Sequence, residues 1–290
     1  MSSSHSSPLT PGSHTVLINN LTLHYNVQSR SPSLPALIIH PPPWGVGADI
    51  YISTFARLSS HFTLIVPSPR GNDSSDVPSD PSAMSTRHIV QDIEELRIHL
   101  GLEKVNLAGH SAGGTVALGY AIAYPQHVER LVLIETDLLG YTRKDQSFFA
   151  DIGKTFASMS VTNDAEFRAF VLHIMPLYFA HPENGGPEAF AKAWTTLPKL
   201  SAYGAYYGAD QTEGGKWDQL AELERVTAKT LVMVGRQDRT CGVEIAETVA
   251  KGVKGSKLVV LEGCGHFPWV EHEAEFWNIV EGFLEGREPS

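Results

Sequence analysis

Cysteine is scarce in this chain: Cys241 and Cys264 are the only two in 290 residues. Two thiols cannot build the disulfide framework on which small secreted folds depend, so an ordinary apolar core must hold the chain together. Long apolar runs are missing too. Hydrophobic residues make up 42% of the sequence, yet no stretch approaches the ~18 unbroken apolar residues of a membrane span. Positive charge is in deficit, with 22 Lys and Arg against 32 Asp and Glu and a formal net charge of −10. That balance argues against nucleic acid or a membrane surface as a partner. Neither H-E-x-x-H nor C-x-x-C occurs, so no metal site is expected. Residues 1–13 are rich in Ser and Pro and have no apolar segment. They read as a disordered tail and not as a secretory signal, which makes the chain cytoplasmic in expectation.

What is present is an alternation of strands and helices. Val16–Asn19 and Leu21–Gln28 form a predicted hairpin turned at Asn19-Asn20. Leu34–His40 and Phe62–Pro67 are apolar runs of strand length, with a helix expected between them around Ile50, Phe55 and Leu58. Ile89, Ile93, Leu96 and Leu100 recur at helical spacing and predict an amphipathic helix over Met84–Leu102. The strand Lys104–Ala108, a small-residue helix ending before Pro125 and the strand Leu131–Glu135 follow. Such alternation implies an α/β fold: a mostly parallel sheet flanked by helices. It breaks between residues 136 and 225, a stretch rich in Phe, Tyr and Trp with helical pieces and no convincing strand. It resumes with strand Thr230–Val234, a helix around Val243–Lys251, strand Leu258–Leu261 and a last helix around Ala274–Leu284. The expected organisation is therefore a core of residues 14–135 and 226–290, with an inserted helical cap over residues 136–225.

Gly109-His110-Ser111-Ala112-Gly113 stands between the strand and the small-residue helix. A G-x-S-x-G at such a junction puts the serine on a sharp, strained turn with its hydroxyl exposed. The glycines allow strand and helix to approach where a Cβ would not fit. A serine hydroxyl attacks only when a base removes its proton and an acid orients that base. Two later strand ends offer these groups. Thr230–Val234 runs into Gly235-Arg236-Gln237-Asp238, and Leu258–Leu261 runs into Glu262-Gly263-Cys264-Gly265-His266. In a parallel sheet these ends share one edge with Ser111, the edge where ligands bind. Glu135 ends the strand after the serine helix and is the alternative acid. Asp238 could instead cap the helix beginning near Gly242, and His110 could be a packed neighbour of the serine.

The chain resembles the α/β-hydrolase family, and within it the proline-iminopeptidase-like and esterase-like branch. The matching residues are His40-Pro41-Pro42-Pro43-Trp44-Gly45, Arg70-Gly71, Gly109–Gly113, Gly235–Asp238 and Gly265-His266-Phe267-Pro268. The resemblance implies an α/β-hydrolase fold and a serine hydrolase that needs no cofactor, with Ser111 as nucleophile, His266 as base and Asp238 as acid. It implies an oxyanion hole built from the Ala112 N–H and a second N–H from the loop after the third strand. The family position that supplies the second group corresponds here to Pro42, which has no N–H. Trp44 is expected to replace it, through its backbone or its indole, with His40 and His110 as other side-chain donors. His40, Pro42 and His110 are the expected pocket residues. Ser68 stands where the family has an aspartate, and Asn72 breaks the family's glycine pattern. A peptidase of this type would need carboxylates for a substrate amino terminus, and the spacing of Glu166, Glu183, Glu188 and Glu213 singles out no pair. The expected substrate is a small, largely apolar ester or lactone. The alternatives are non-standard chemistry at the same three residues (carbon–carbon cleavage, lyase or cyclisation), aminopeptidase activity, and a ligand-binding protein without catalysis. The sequence leaves a homodimer open.

Overall fold

In the computed structural model, which describes residues 7–31, 33–212 and 214–287, an eight-stranded sheet forms the centre of the molecule. Its strands are β1 (Gly12–Ile18), β2 (Leu21–Gln28), β3 (Ala36–His40), β4 (Thr63–Ser68), β5 (Val105–His110), β6 (Val128–Ile134), β7 (Lys229–Gly235) and β8 (Lys257–Leu261). They lie in the order β1-β2-β4-β3-β5-β6-β7-β8. β2 runs antiparallel to β1 and to β4, and every later pairing is parallel. Helix α1 (Asp49–Phe55) follows β3, α2 (Thr86–His99) follows β4 and α3 (Ala112–Ala123) follows β5. Between β6 and β7 lie α4 (Ser147–Ser158), α5 (Asp164–Ile174), α6 (Gly186–Ala193) and α7 (Leu200–Ala209). Then come α8 (Val243–Gly252), the short α9 (Pro268–Glu271) and α10 (Glu273–Glu285). The expected alternation, its break after β6 and its resumption are all present. Among the described residues no strand falls between Ile134 and Lys229.

The N-terminal boundary needs correction. Residues 1–6 of the expected tail lie outside the described residues, but β1 begins at Gly12, inside that tail. The strand signal was hidden because Gly12 and Ser13 are exposed and His14 is half-buried at the edge of the sheet, and the three carry no apolar alternation. The turn itself is as read: Asn19 and Asn20 both have positive φ, 50° and 61°, the backbone of a two-residue hairpin.

Each inner strand sends alternate side chains to opposite faces, and two cores result. Ile38, Leu107 and Leu133 pack on one face with α2, α3 and α8. Leu37, Ile39, Ala108 and Ile134 pack on the other with α1, α10 and the inserted helices. Burial on both faces explains why β3, β4 and β5 have no exposed residue. The insertion is fastened by Trp194, fully buried, whose indole Nε1–H donates to the Val46 carbonyl at 2.7 Å. An anchor of this kind costs roughly 3–5 kcal/mol when cut back to alanine. No helix among the described residues is long and apolar enough to cross a membrane.

Candidate active site

Ser111 sits on the turn between β5 and α3 with φ 56° and ψ −128°. This backbone conformation is disfavoured for any residue with a Cβ and stores about 1–3 kcal/mol. Two features hold it. The Ser111 N–H donates to the Ile134 carbonyl at 2.9 Å, and the Ser111 carbonyl accepts from the Gly114 N–H at 2.9 Å. Gly109 and Gly113 let the chain close on itself: a Cβ on Gly109 would overlap the Gly113 backbone, and one on Gly113 would overlap the His40 and Pro41 backbone. The serine thereby stands at the N-terminus of α3, where free N–H groups and the helix dipole favour negative charge.

The ends of β7 and β8 meet beside it. His266 Nδ1 and Asp238 Oδ2 are 3.0 Å apart, and both residues are buried. Asp238 also accepts from the Thr240 N–H at 2.8 Å and the Cys241 N–H at 3.2 Å. Burial opposes ionisation of Asp238, but His266 and these donors outweigh it and hold the carboxyl well below its usual range. Helix α8 is preceded by Gly242 with no side-chain cap, so Asp238 is not a capping residue. Asp238, Cys241 and His266 are close enough for a shared ion. However, burial pushes the Cys241 thiol up, away from the thiolate that binds metals.

His266 is fixed through its backbone. Its N–H donates to the Tyr178 carbonyl of the inserted segment at 2.7 Å. Its carbonyl accepts from His110 Nε2–H at 2.8 Å, while His110 Nδ1 lies 2.8 Å from the Tyr51 hydroxyl. Burial, then the neighbouring His266, holds His110 neutral. With the proton on Nε2, Nδ1 accepts from Tyr51. Glu271 of α9 completes the loop by accepting from the Gly265 N–H at 2.7 Å. No hydrogen bond joins Ser111 Oγ to His266 among the described residues. Catalytic hydrogen bonds are often long or poorly aligned before substrate binds and tighten in the complex.

Above Ser111 lies a cavity of ≈ 380 Å³, bordered by Ser111, Ala112, Pro42, Trp44, His110 and His266 at its base. Its walls are aromatic and aliphatic and come largely from the insertion, with Phe167, Phe170, Tyr178, Tyr203 and Tyr207 among them. The expected pocket residues divide: Pro42 and His110 face the cavity, whereas His40 does not. His40 follows Ile38 in the strand alternation, so its ring points to the opposite face of the sheet, against Tyr25, Ile89 and Ile93. There its Nδ1–H donates to the Pro41 carbonyl at 2.8 Å, and burial pushes its pKa down to about 4. This removes His40 as a pocket residue and as an oxyanion donor.

Sequence reasoning missed Tyr51, Tyr178, Glu271 and the role of Asn72. Asn72 is completely buried and brackets Trp44. Its Nδ2 donates to the Pro43 carbonyl at 2.8 Å and to the Arg70 carbonyl at 3.0 Å, and its Oδ1 accepts from the Gly45 N–H at 2.7 Å. The left-handed positions that the family's glycines would fill are Gly71 and Asp73, not Asn72. Arg70 is structural, paired with the buried Asp92 at 2.6 Å. Neither the Ala112 N–H nor the Trp44 N–H has a protein acceptor among the described residues. No periodicity in the sequence signals any of these contacts.

A sequence profile of the alpha/beta hydrolase fold matches residues 35–273, and the chain belongs to that family. It is accordingly a hydrolase, as the names of its relatives also indicate. It is 26% identical over 276 residues to a proline iminopeptidase of Saccharolobus solfataricus, covering 90% of this chain and 87% of the relative. It is 28% identical over 279 residues to a 2-hydroxymuconate semialdehyde hydrolase of Pseudomonas putida, covering 89% and 90%. The solved enol-lactonase of Burkholderia xenovorans superposes with a TM-score of 0.76 at 19% identity, over 94% of this chain and 100% of that one. The last likeness concerns the fold alone.

Proposed function

We propose that the chain hydrolyses a small, largely apolar carboxylic ester or lactone through an acyl-enzyme on Ser111. The observation that carries this is the strained Ser111 at the floor of an aromatic cavity that His266, bonded to Asp238, also borders. Ser111 Oγ attacks the carbonyl carbon while His266 Nε2 takes its proton. Asp238 accepts from Nδ1–H, keeping the lone pair on Nε2 and stabilising the imidazolium. The Ala112 and Trp44 N–H groups hold the oxyanion. The proton passes to the leaving alkoxide, and a water activated by the same imidazole then releases the acid. Residues 136–225 act as a cap whose aromatic side chains select the substrate.

Two observations favour an ester or lactone over a peptide with a free amino terminus. The carboxylates bordering the cavity are both engaged: Asp137 pairs with Arg143 at 2.6 Å, and Asp210 accepts from the Thr86 N–H and hydroxyl at 2.8 and 2.7 Å. Glu166, Glu183 and Glu188 do not border it, and Glu213 lies outside the described residues. A second reading, carbon–carbon hydrolysis at the same serine, draws on the N–H-less Pro42 in the cavity wall.

The test is fluorophosphonate labelling followed by a panel of p-nitrophenyl esters, lactones and proline p-nitroanilide. The expected result is label on Ser111 alone, turnover of short apolar esters or lactones, and no anilide cleavage. Label on another residue, or turnover unchanged in Ser111→Ala, refutes the nucleophile. Anilide cleavage without ester turnover refutes the substrate class.

A further inference from the structure

Glu135 is the first residue beyond β6 and is fully buried. Its backbone is left-handed at φ 45°, uncommon for a residue with a Cβ. Its N–H donates to the Met233 carbonyl of β7 at 2.9 Å. This conformation brings the carboxyl to the turn after β7, where Oε1 accepts from the Gly235 N–H at 2.7 Å. The other oxygen, Oε2, is sealed from solvent and has no donor among the described residues. Gly235 and Asp238 share one turn, closed by the Asp238 N–H on the Gly235 carbonyl at 3.1 Å, so the Glu135 carboxyl lies beside that of Asp238. Two ionised carboxylates so placed repel, and neither has a proton to offer the other. A single shared proton removes the repulsion and supplies the missing donor together.

The surroundings decide which carboxyl keeps it. Asp238 faces His266 and receives the Thr240 and Cys241 N–H groups. Glu135 receives one N–H and forms no ion pair among the described residues. Asp238, Glu271, Cys241 and Cys264 act on it, each neutral or negative. His266 and Arg143 act on Asp238 instead.

We infer that Glu135 is a positioning residue: it remains protonated through turnover, and its Oε2–H donates to the Asp238 carboxylate, fixing that carboxylate for His266. This rests on Asp238 being the orienting acid. It also accounts for the two acidic strand ends without making them rivals: one is the charged partner of the histidine, the other its neutral support. A carboxylic acid kept neutral by an apolar site so that it can donate is an established device in enzyme sites.

The test uses p-nitrophenyl butyrate with Glu135→Gln, Glu135→Leu and Asp238→Asn. In Glu135→Gln the amide oxygen still accepts from Gly235 and the amide N–H still donates to Asp238. kcat/KM should stay within about threefold of wild type, and the acid limb of its pH profile should not move, because no charge was removed. A fall of that limb by about one pH unit or more would show that Glu135 had been ionised and overturn the inference. Glu135→Leu fills the space without the donor and should lower kcat about 10–100-fold, the loss of one hydrogen bond to a charged group. An unchanged kcat would reduce Glu135 to filler. Should the leucine variant fail to fold, the infrared difference spectrum of wild type minus Glu135→Gln at pH 7 still decides. A protonated-carboxyl C=O band is expected, and carboxylate bands alone would overturn the inference. Asp238→Asn should lose far more activity than Glu135→Gln. If it did not, the assignment of Asp238 would fail even with the protonated band present, so the two failures are separable.

Discussion

Replacing Asn72 tests how an oxyanion hole can be built where the usual donor position is a proline. The Asn72 amide binds the Pro43 carbonyl on one side of Trp44 and the Gly45 N–H on the other. In a planar trans peptide the C=O and N–H point in opposite directions. With the Pro43 carbonyl turned to Asn72, the Trp44 N–H of the same peptide points away from it. Pro42, Trp44 and Ala112 border one cavity, and the second N–H is expected to serve the oxyanion there. In Asn72→Ala the peptide is free to rotate. Losing one oxyanion donor costs roughly 2.7–4 kcal/mol in the transition state, or about 10²–10³ in kcat, with KM little changed because the charge develops only there. The Pro43 and Arg70 carbonyls and the Gly45 N–H also lose their partner, which costs about 1–3 kcal/mol of stability for each group left dry. Steady-state kinetics on p-nitrophenyl butyrate would accordingly be paired with a thermal melt. Trp44→Phe is the companion, since it deletes the indole donor and keeps the backbone one. Its kcat should stay within a few-fold of wild type. A folded Asn72→Ala enzyme with kcat within about threefold of wild type would refute the peptide as donor. A loss of about 10²–10³ confined to Trp44→Phe would move the role to the indole.

Four further outcomes are expected. Ser111→Ala and His266→Ala should each reduce kcat by about 10⁴ or more, measured on protein shown to be folded by circular dichroism; near-normal turnover in either would remove that residue from the mechanism. His40, whose pKa is pushed down to about 4 by burial, binds its proton more readily unfolded than folded. Its contribution is therefore fully present above the unfolded value of ~6.5 and lost as pH falls through that range toward 4, up to about 3 kcal/mol. The Tm of wild type should fall more steeply between pH 7 and pH 4.5 than that of His40→Gln, and parallel curves would show that His40 does not drive acid unfolding. Tyr203 borders the cavity and packs on Trp44 and Phe167. Tyr203→Ala should move the optimum of kcat/KM toward longer acyl chains in an ester series, and an unmoved optimum would place the acyl group elsewhere.

The α/β order was legible because each strand and helix carries its own periodicity. Ser111 was legible for the same reason: strand, tight turn and helix are contiguous, and the glycines at 109 and 113 are needed wherever that turn is made. Asp238 and His266 could be located as strand ends, since a parallel sheet delivers its carboxyl ends to one edge whatever the sequence between them. What lay beyond the sequence was how side chains meet across that edge. Strand alternation fixes that His40 shares a face with Ile38, but only the packing of α2 shows that this face turns away from the serine. Asn72 and Trp44 lie on loops separated by a strand and a helix, and no local pattern records the amide that joins them. Glu135 was visible as an acid at a strand end. It lies beside Asp238 because β6 and β7 are neighbours in register, with Ile134 opposite Met233. The sequence by itself determined which chemical groups reach the sheet edge, because that depends on local spacing. The tertiary structure alone decided which of them lie together, which face the cavity and which are turned away, because those depend on the packing of segments distant in sequence.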